Sequence, residues 1–249
     1  MRVGCFAIVE PFLPFEQQLQ RIAALGFKYA DITDNHDGGS LGVEFGFSPS
    51  VSLDSNPFDL RRAFERAGLV PTAWCAHANL LDPSAPWRYS TAQILKAIRN
   101  AATIGIRHVI TTEGDPKTAF GHRLSLRERV FLIAERLYEP LRLAEDLGVT
   151  LLLEPHGPVT DTIEGMEAIL AACGQPPHLG VNLDTGNVWL GGTDPVAFAR
   201  HFGAKIGHVH WKDLPAEFAS RRGQQFGCGM ATIPLGQGVI DIRGVVQAL

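Results

Sequence analysis

Three short segments decide the fold: LLLEPHG at residues 151–157, VNLDTGN at 181–187 and GHVHWKD at 207–213. Each is an apolar run typical of a buried strand, and each ends in side chains that can bind a metal or move a proton. The ends of successive strands converge on one point in a parallel barrel. The three segments therefore predict a barrel with a site at that point.

The side chains at these strand ends are two carboxylates and an imidazole, Glu154, Asp184 and His210. Two carboxylates neutralise a divalent ion, and a neutral histidine adds a bond without charge, which suits Mn²⁺, Mg²⁺, Co²⁺ or Zn²⁺. Both carboxylates follow apolar residues, where an unpaired charge is costly. His208 lies on the same strand face as His210 but deeper, so His210 is the predicted ligand.

The length of 249 residues and the 45% hydrophobic content allow a large core and fit one α/β barrel or two small domains. Because the sequence has no linker or low-complexity tract, we expect one soluble barrel domain over residues 1–249. The net charge of −4 includes no long basic run, which argues against a nucleic-acid partner. No apolar run reaches membrane-spanning length, and the four cysteines form no CxxC pair. We expect a cytoplasmic protein with a small-molecule substrate and no membrane partner, and a homo-oligomer stays open.

A helical segment that ends in glycine and leads at once into an apolar strand recurs along the chain. The glycines are Gly26, Gly68, Gly105, Gly148 and Gly203. Glycine just after a helix adopts a left-handed conformation that other residues resist, and such joints are typical of βαβ units. The predicted strands are 2–9, 27–33, 70–78, 107–113, 149–155, 178–184 and 206–212. The predicted helices are 14–25, 57–67, 87–104, 124–147, 162–173 and 194–202.

Seven strands alternating with helices predict a TIM (β/α)8-type barrel with its eighth strand missing. An open Rossmann sheet is disfavoured because no glycine-rich phosphate loop follows the first strand. Pro140 should kink or split the long fourth helix. The Gly-, Ser- and Asp-rich loop at 34–56 follows the second strand and is expected to cover the site.

Other polar residues at the predicted strand ends would face the same site, and no GxSxG or HExxH motif offers different chemistry. We assign four of them to substrate binding: His77, Glu113, His156 and His208. A substrate with adjacent hydroxyl and carbonyl oxygens would chelate the ion, which would acidify the neighbouring C–H bond. A carboxylate at the edge of the metal would take that proton.

At these residues the chain resembles the sugar phosphate isomerase/epimerase superfamily, the xylose-isomerase-like TIM barrels. The matching text is LLLEPHG, VNLDTGN, GHVHWKD and then IPLGQGVIDIRGVVQAL, in that order, and the strand–helix repeat extends the likeness over the chain. The resemblance implies that Glu154, Asp184 and His210 bind the metal and that Glu154 also transfers a proton. It places Asn187, Lys212 and Arg222 near the substrate.

The chain departs from the family pattern at its C-terminus. In the family, a segment like PLGQGVIDIRGVVQAL leads into an eighth strand ending in a glutamate, which is the fourth ligand and second acid–base group. Here the sequence ends at Leu249. The expectation is a C-terminally incomplete barrel, a partner chain that fills the gap, or a substitute carboxylate such as Glu113 or Glu10.

The leading hypothesis is a divalent-metal-dependent isomerase or epimerase of a small sugar or keto-polyol, with proton transfer through an enediolate. A keto-inositol (inosose-type) dehydratase is the first alternative, since HVHWKD resembles that branch too. An AP-endonuclease-like phosphodiesterase would need more ligands and a basic groove. A catalytically inactive sugar-binding barrel is the remaining alternative.

Overall fold

The computed structural model of the chain describes residues 2–10, 13–33, 51–81, 88–114, 119–227 and 232–249. The strands are β1 (Cys5–Phe6), β2 (Tyr29–Thr33), β3 (Val70–Cys75), β4 (His108–Thr112), β5 (Thr150–Glu154), β6 (Leu179–Asp184) and β7 (Ile206–His210). The helices are α1 (Phe15–Ala24), α2 (Pro57–Ala67), α3 (Tyr89–Ile104), α4 (Ala119–Arg123), α5 (Leu126–Leu147), α6 (Ile163–Ala172), α7 (Thr185–Leu190), α8 (Pro195–Phe202) and α9 (Ile242–Ala248). Two 3-10 segments cover Gly203–Lys205 and Ala216–Arg221.

The strands form one seven-stranded sheet in which hydrogen-bonded neighbours follow chain order from β1 to β7. The pairs β1–β2, β2–β3, β3–β4 and β6–β7 are parallel. Parallel neighbours in chain order, with helices between them, are the arrangement of an α/β barrel. The α/β class and all seven strands are confirmed, although the first is much shorter than predicted. The described residues hold one strand fewer than a closed (β/α)8 barrel.

The predicted helix signals are present in the structure. Asp194 caps α8 by accepting a hydrogen bond from Val196 N at 3.1 Å, with Pro195 in the first turn. Ser125 N donates to Glu128 Oε2 at 2.7 Å, the capping box predicted for α5. None of the helices in the described part of the chain is both long and apolar enough to cross a membrane.

The predicted long helix 124–147 differs from the structure in two ways. A short helix, α4, precedes it, and α5 runs as one helix through Pro140. Of the two predicted effects of Pro140, splitting is therefore wrong, and a kink stays a prediction. Proline removes one hydrogen bond from the helix ladder. Buried side chains before and after it, Ile133, Leu137 and Ala144, hold both halves of α5 against the protein interior.

The chain groups into two compact units. The first comprises Met1–Ala78, Arg88–Thr111 and Glu139–Leu151, and the second comprises Asn79–Trp87, Thr112–Tyr138 and Leu152–Leu249. Fully buried side chains of the first unit include Leu19, Phe64 and Trp74. The loop predicted to cover the site falls mostly at 34–50, outside the described residues. That residues 1–249 form a single domain stays a prediction.

An apolar cluster in the second unit supports the segments that follow β6 and β7. Its members are Trp189, Leu190, Leu214, Phe218 and Ile240. Helix α7 supplies the first two, and the segment after β7 supplies the others. This packing fixes the backbone immediately beyond the two strand ends that carry Asp184 and His210.

Candidate metal centre

The ends of β5, β6 and β7 bring Glu154, Asp184 and His210 together in the second unit. Potential ligand atoms of the three residues all lie within 4.8 Å of one another. Asp184 lies directly opposite His210 in the β6–β7 register. Glu154 Oε2 lies 3.0 Å from His210 Nδ1, with the Glu154 side chain only 2% exposed. The predicted trio is therefore a compact cluster in which both carboxylates are buried.

Each oxygen of Asp184 has a different environment. Oδ1 accepts a hydrogen bond from Asn187 N at 2.8 Å and so caps α7. Oδ2 has no hydrogen-bond partner among the described residues, yet it lies 2.8 Å from Lys212 Nζ. The contact with Lys212 is therefore an ion pair at close range rather than an aligned hydrogen bond. Because Oδ1 is used as the helix cap, Oδ2 is the candidate metal-binding oxygen of Asp184.

Asn182 is at the centre of the cluster, two residues before Asp184 on the same face of β6. Its Nδ2 donates to Glu154 Oε2 at 2.8 Å and lies 3.0 Å from His210 Nδ1. Its Oδ1 lies 3.0 Å from His208 Nδ1. Asn182 is fully buried. One amide thus joins three polar groups, two of which belong to potential metal ligands.

Three further predicted site residues lie against this cluster. Asn187 Nδ2 donates to Glu154 Oε1 at 3.3 Å, and Lys212 pairs with Asp184. The ring of His208 meets that of His210 edge to face at a centroid distance of 5.2 Å. The structure brings Asn187, Lys212 and His208 together with the predicted ligands.

The backbone of Lys212 is held by Thr185, the first residue of α7. Thr185 Oγ1 accepts from Lys212 N at 2.8 Å and donates to Lys212 O at 2.7 Å. Thr185 is fully buried. This two-way contact ties the segment after β7 to the start of α7, and so it sets the direction from which Lys212 approaches Asp184.

Glu113, which follows β4, contacts the loop after β5. Its carboxylate accepts hydrogen bonds from Val159 N, at 3.0 Å to Oε2, and from Thr160 N, in the loop after β5. A side chain on Gly157 would collide with it. Burial raises the pKa of the Glu113 carboxyl to about 7, although these hydrogen bonds and Arg129 act in the opposite direction. These contacts are those of a residue that organises a loop.

His156 and Arg222 lie near loops of the second unit. His156 N donates to Thr160 Oγ1 at 3.0 Å. Arg222 donates to Trp189 O and Gly192 O, each at 3.1 Å, and its guanidinium lies 5.2 Å from the Trp189 ring centroid. These contacts anchor the Arg222 side chain to the segment that follows β6.

His77 is in the other compact unit, after β3, where it is half-buried. Its assignment to substrate binding stays a prediction from the sequence.

The sequence analysis missed Asn182 and Thr185. A signal for Asn182 was available, because a polar side chain inside VNLD, in phase with Asp184, is unusual in a strand buried on both faces. Thr185 gave no such signal, since a threonine after a strand is common in loops.

The donor set fits a divalent metal. Two ligand atoms that each lie about 2.1 Å from a metal ion, with a right angle at the metal, are about 3.0 Å apart. Glu154 Oε2 and His210 Nδ1 have this separation. The buried Asp184 Oδ2, which accepts no hydrogen bond among the described residues, would be the third ligand atom.

Comparison with known proteins identifies the family. The sequence model of the xylose isomerase-like TIM barrel family matches residues 19–249. The chain belongs to this family. The barrel class predicted from the strand ends is thereby confirmed, together with the superfamily resemblance.

Two curated relatives from this comparison match part of the chain. The rhizopine catabolism protein MocC of Rhizobium meliloti is 26% identical over 161 residues, which are 59% of this chain and 49% of that protein. The inosose dehydratase of Clostridium beijerinckii is 27% identical over 150 residues, which are 57% of this chain and 50% of that protein. The chain therefore spans about half the length of the curated relatives that it matches.

Solved structures share the fold of this xylose isomerase-like chain. A D-tagatose 3-epimerase-like protein has a TM-score of 0.74 and 21% identity, with 100% of this chain and 86% of that chain covered. The IOLI protein, solved with a bound zinc atom, has a TM-score of 0.72 and 18% identity, with 100% and 84% covered. Similarity at this level of identity establishes the fold alone.

Proposed function

We propose that this chain is a divalent-metal-dependent isomerase or epimerase of a small sugar or keto-polyol. The observation that carries the proposal is the cluster of Glu154, Asp184 and His210, whose potential ligand atoms lie within 4.8 Å of one another. Membership of the xylose isomerase-like family and the epimerase fold of a structural relative support the choice of substrate class.

Glu154, Asp184 and His210 would hold the ion, with Mn²⁺, Mg²⁺, Co²⁺ and Zn²⁺ as the candidates. When bound, the ion would polarise a substrate carbonyl and make the neighbouring C–H bond more acidic. Glu154 is buried, and its carboxylate is oriented from both sides by Asn182 and Asn187. A carboxylate fixed in this way can remove the proton from the carbon that bears the hydroxyl group.

The residues around the cluster would bind and orient the substrate. The Lys212 side chain is 25% exposed beside the buried Asp184, so its ammonium can also reach a substrate oxygen. Asn187 offers an amide for a hydroxyl group. We retain His208, His156, Arg222, Glu113 and His77 as substrate-binding candidates, with Glu113 the least favoured because it holds a loop.

Substitution of Glu154 tests the proposal. Glu154→Gln keeps the shape of the side chain but removes its charge and its capacity as a base. We expect loss of the bound ion and a fall in turnover by about 100-fold or more. Glu164→Gln on the exposed face of α6 is the matched control and should change neither. Metal content is measured by mass spectrometry, and turnover on a panel of ketoses.

Retention of metal and turnover by Glu154→Gln would refute the proposal. So would a wild-type protein that binds none of the four ions after dialysis against them, which would favour an inactive sugar-binding barrel.

A keto-inositol dehydratase is the second candidate, favoured by the 27% identity to inosose dehydratase over 150 residues. The first step would be the same removal of a proton beside a carbonyl. Hydroxide would then leave from the next carbon, so that one water is lost and a carbon–carbon double bond forms. Product mass distinguishes the two reactions, because isomerisation and epimerisation leave the mass of the substrate unchanged.

A further inference from the structure

We propose that Asn182 is a positioning residue that fixes the hydrogen positions of His210 and His208, so that His210 presents the lone pair of its Nδ1 to the metal. The inference rests on the proposed function only for the identity of the ligand. The hydrogen positions themselves follow from the contacts of one buried amide.

The orientation of the amide is set by Glu154. An ionised carboxylate only accepts hydrogen bonds, so the Asn182 group 2.8 Å from Glu154 Oε2 is the nitrogen. The amide nitrogen has two hydrogens, and its second close neighbour is His210 Nδ1 at 3.0 Å. The amide oxygen then faces His208 Nδ1 at 3.0 Å.

These contacts select one tautomer for each neutral histidine. A hydrogen on His210 Nδ1 would face an N–H of Asn182, so this nitrogen carries a lone pair and the hydrogen is on Nε2. The Asn182 oxygen needs a donor, so His208 carries its hydrogen on Nδ1. One side chain therefore gives the two histidines opposite tautomers.

The same arrangement leaves two acceptors facing each other. With a lone pair on His210 Nδ1, that atom and Glu154 Oε2 lie 3.0 Å apart with no hydrogen between them. Their mutual repulsion is relieved by a shared cation. Asn182 thus holds the metal-free cluster in a state that is ready for metal, because it donates one hydrogen to each of the two ligands.

Nitrogen NMR of the metal-free protein tests the tautomers directly. An imidazole nitrogen with a lone pair and one with a hydrogen have well separated ¹⁵N shifts. We expect His210 to carry its hydrogen on Nε2 and His208 on Nδ1. Asn182→Asp keeps the size of the side chain but removes both donors, and it should move the His210 hydrogen to Nδ1. The reverse tautomers in wild type, or an unchanged His210 in Asn182→Asp, would overturn the inference.

Metal affinity gives the second readout, measured by competition with a chelating dye. Asn182→Ala should weaken binding of the preferred ion by about 10- to 100-fold, as for other residues that orient metal ligands. Asn79→Ala is the matched control, because Asn79 is also a buried asparagine of the second unit, and its Oδ1 accepts from Leu81 N at 3.1 Å. It should change the affinity by less than about threefold. Equal affinity of Asn182→Ala and wild type would overturn the inference.

The two proposals fail separately. A wild-type protein that binds none of the ions refutes the proposed function, and the tautomers of the metal-free protein still decide the role of Asn182. Normal metal binding with the wrong tautomers refutes the role of Asn182 alone.

Discussion

Replacement of Asp213 by asparagine should destabilise the protein strongly, although the residue is not a predicted metal ligand. Asp213 follows β7 and is fully buried. Its Oδ1 accepts from Leu214 N at 2.9 Å and from Ile240 N at 3.1 Å. Its Oδ2 accepts from Gly236 N at 2.8 Å and from Gly238 N at 2.9 Å. Four backbone N–H groups thus converge on one carboxylate.

The magnitude follows from the number of bonds lost. Asparagine keeps one oxygen and replaces the other with an NH₂ group, which would face two N–H donors in either orientation. Hydrogen bonds to charged groups contribute about 1.5–3 kcal/mol each, so the loss of two gives about 3–6 kcal/mol. The total unfolding free energy of a domain is about 5–15 kcal/mol. Asp213→Asn should therefore lose a large fraction of the stability.

Urea unfolding monitored by circular dichroism measures this difference. The control is Asp241→Asn, because Asp241 caps α9 through Gly244 N at 2.8 Å and asparagine caps a helix equally well. The control should change the unfolding free energy by less than about 0.5 kcal/mol. A loss of less than about 1 kcal/mol in Asp213→Asn would refute the hydrogen-bond argument.

Two further predictions concern buried carboxylates. The pKa of Glu113, raised by burial from 4.5 to about 7, means that the folded state binds the proton more tightly. Stability should fall by about 3 kcal/mol as pH rises from about 4.5 to 7, and urea unfolding of Glu113→Gln should lack this fall; parallel profiles would contradict the prediction. Lys212→Met removes the ionic partner of Asp184 and should destabilise the metal-free protein by about 1–3 kcal/mol. This loss is smaller than the one expected on breaking a fully buried ion pair, because the Lys212 side chain is 25% exposed. Calorimetry should show that added metal raises the melting temperature more than in wild type, and an equal rise would contradict this.

The fold could be predicted in large part because its signals are local. Glycine after a helix, followed by an apolar run, indicated β2, β3, β4, β5 and β7, and apolar runs alone indicated β1 and β6. Capping residues indicated the start of α5 and α8. Helix α7 was missed because Asp184 has two roles, and only its role as a potential ligand was considered. Its Oδ1 caps α7 while its Oδ2 faces the cluster.

The sequence predicts the site residues that lie at strand ends, but not the contacts that those residues make with loops. Convergence of β5, β6 and β7 is a property of the fold, so the cluster of Glu154, Asp184 and His210 followed from the sequence. The hydrogen bonds from Val159 and Thr160 to Glu113 join residues 46 and 47 positions apart, and no local pattern encodes them. A strand-end carboxylate looks the same in the sequence whether it faces a site or a loop.

Asp184 and Asp213 show how the structure distinguishes a carboxylate that faces a site from one that organises a loop. Both are fully buried aspartates of the second unit, placed at or just after a strand end. Burial of a carboxylate is costly unless hydrogen bonds or an opposite charge compensate it. Each oxygen of Asp213 accepts two backbone N–H groups, which satisfies it within the fold.

Asp184 Oδ2 accepts no hydrogen bond in the described part of the chain, and Lys212 is its close ionic partner. The buried carboxylate of Glu154 belongs to the same cluster of potential ligands. A purely structural aspartate would gain stability from the kind of N–H shell that surrounds Asp213. The position of one Asp184 oxygen beside a second carboxylate and an imidazole, without such a shell, is the observation on which we base the proposal that all three residues bind a cation.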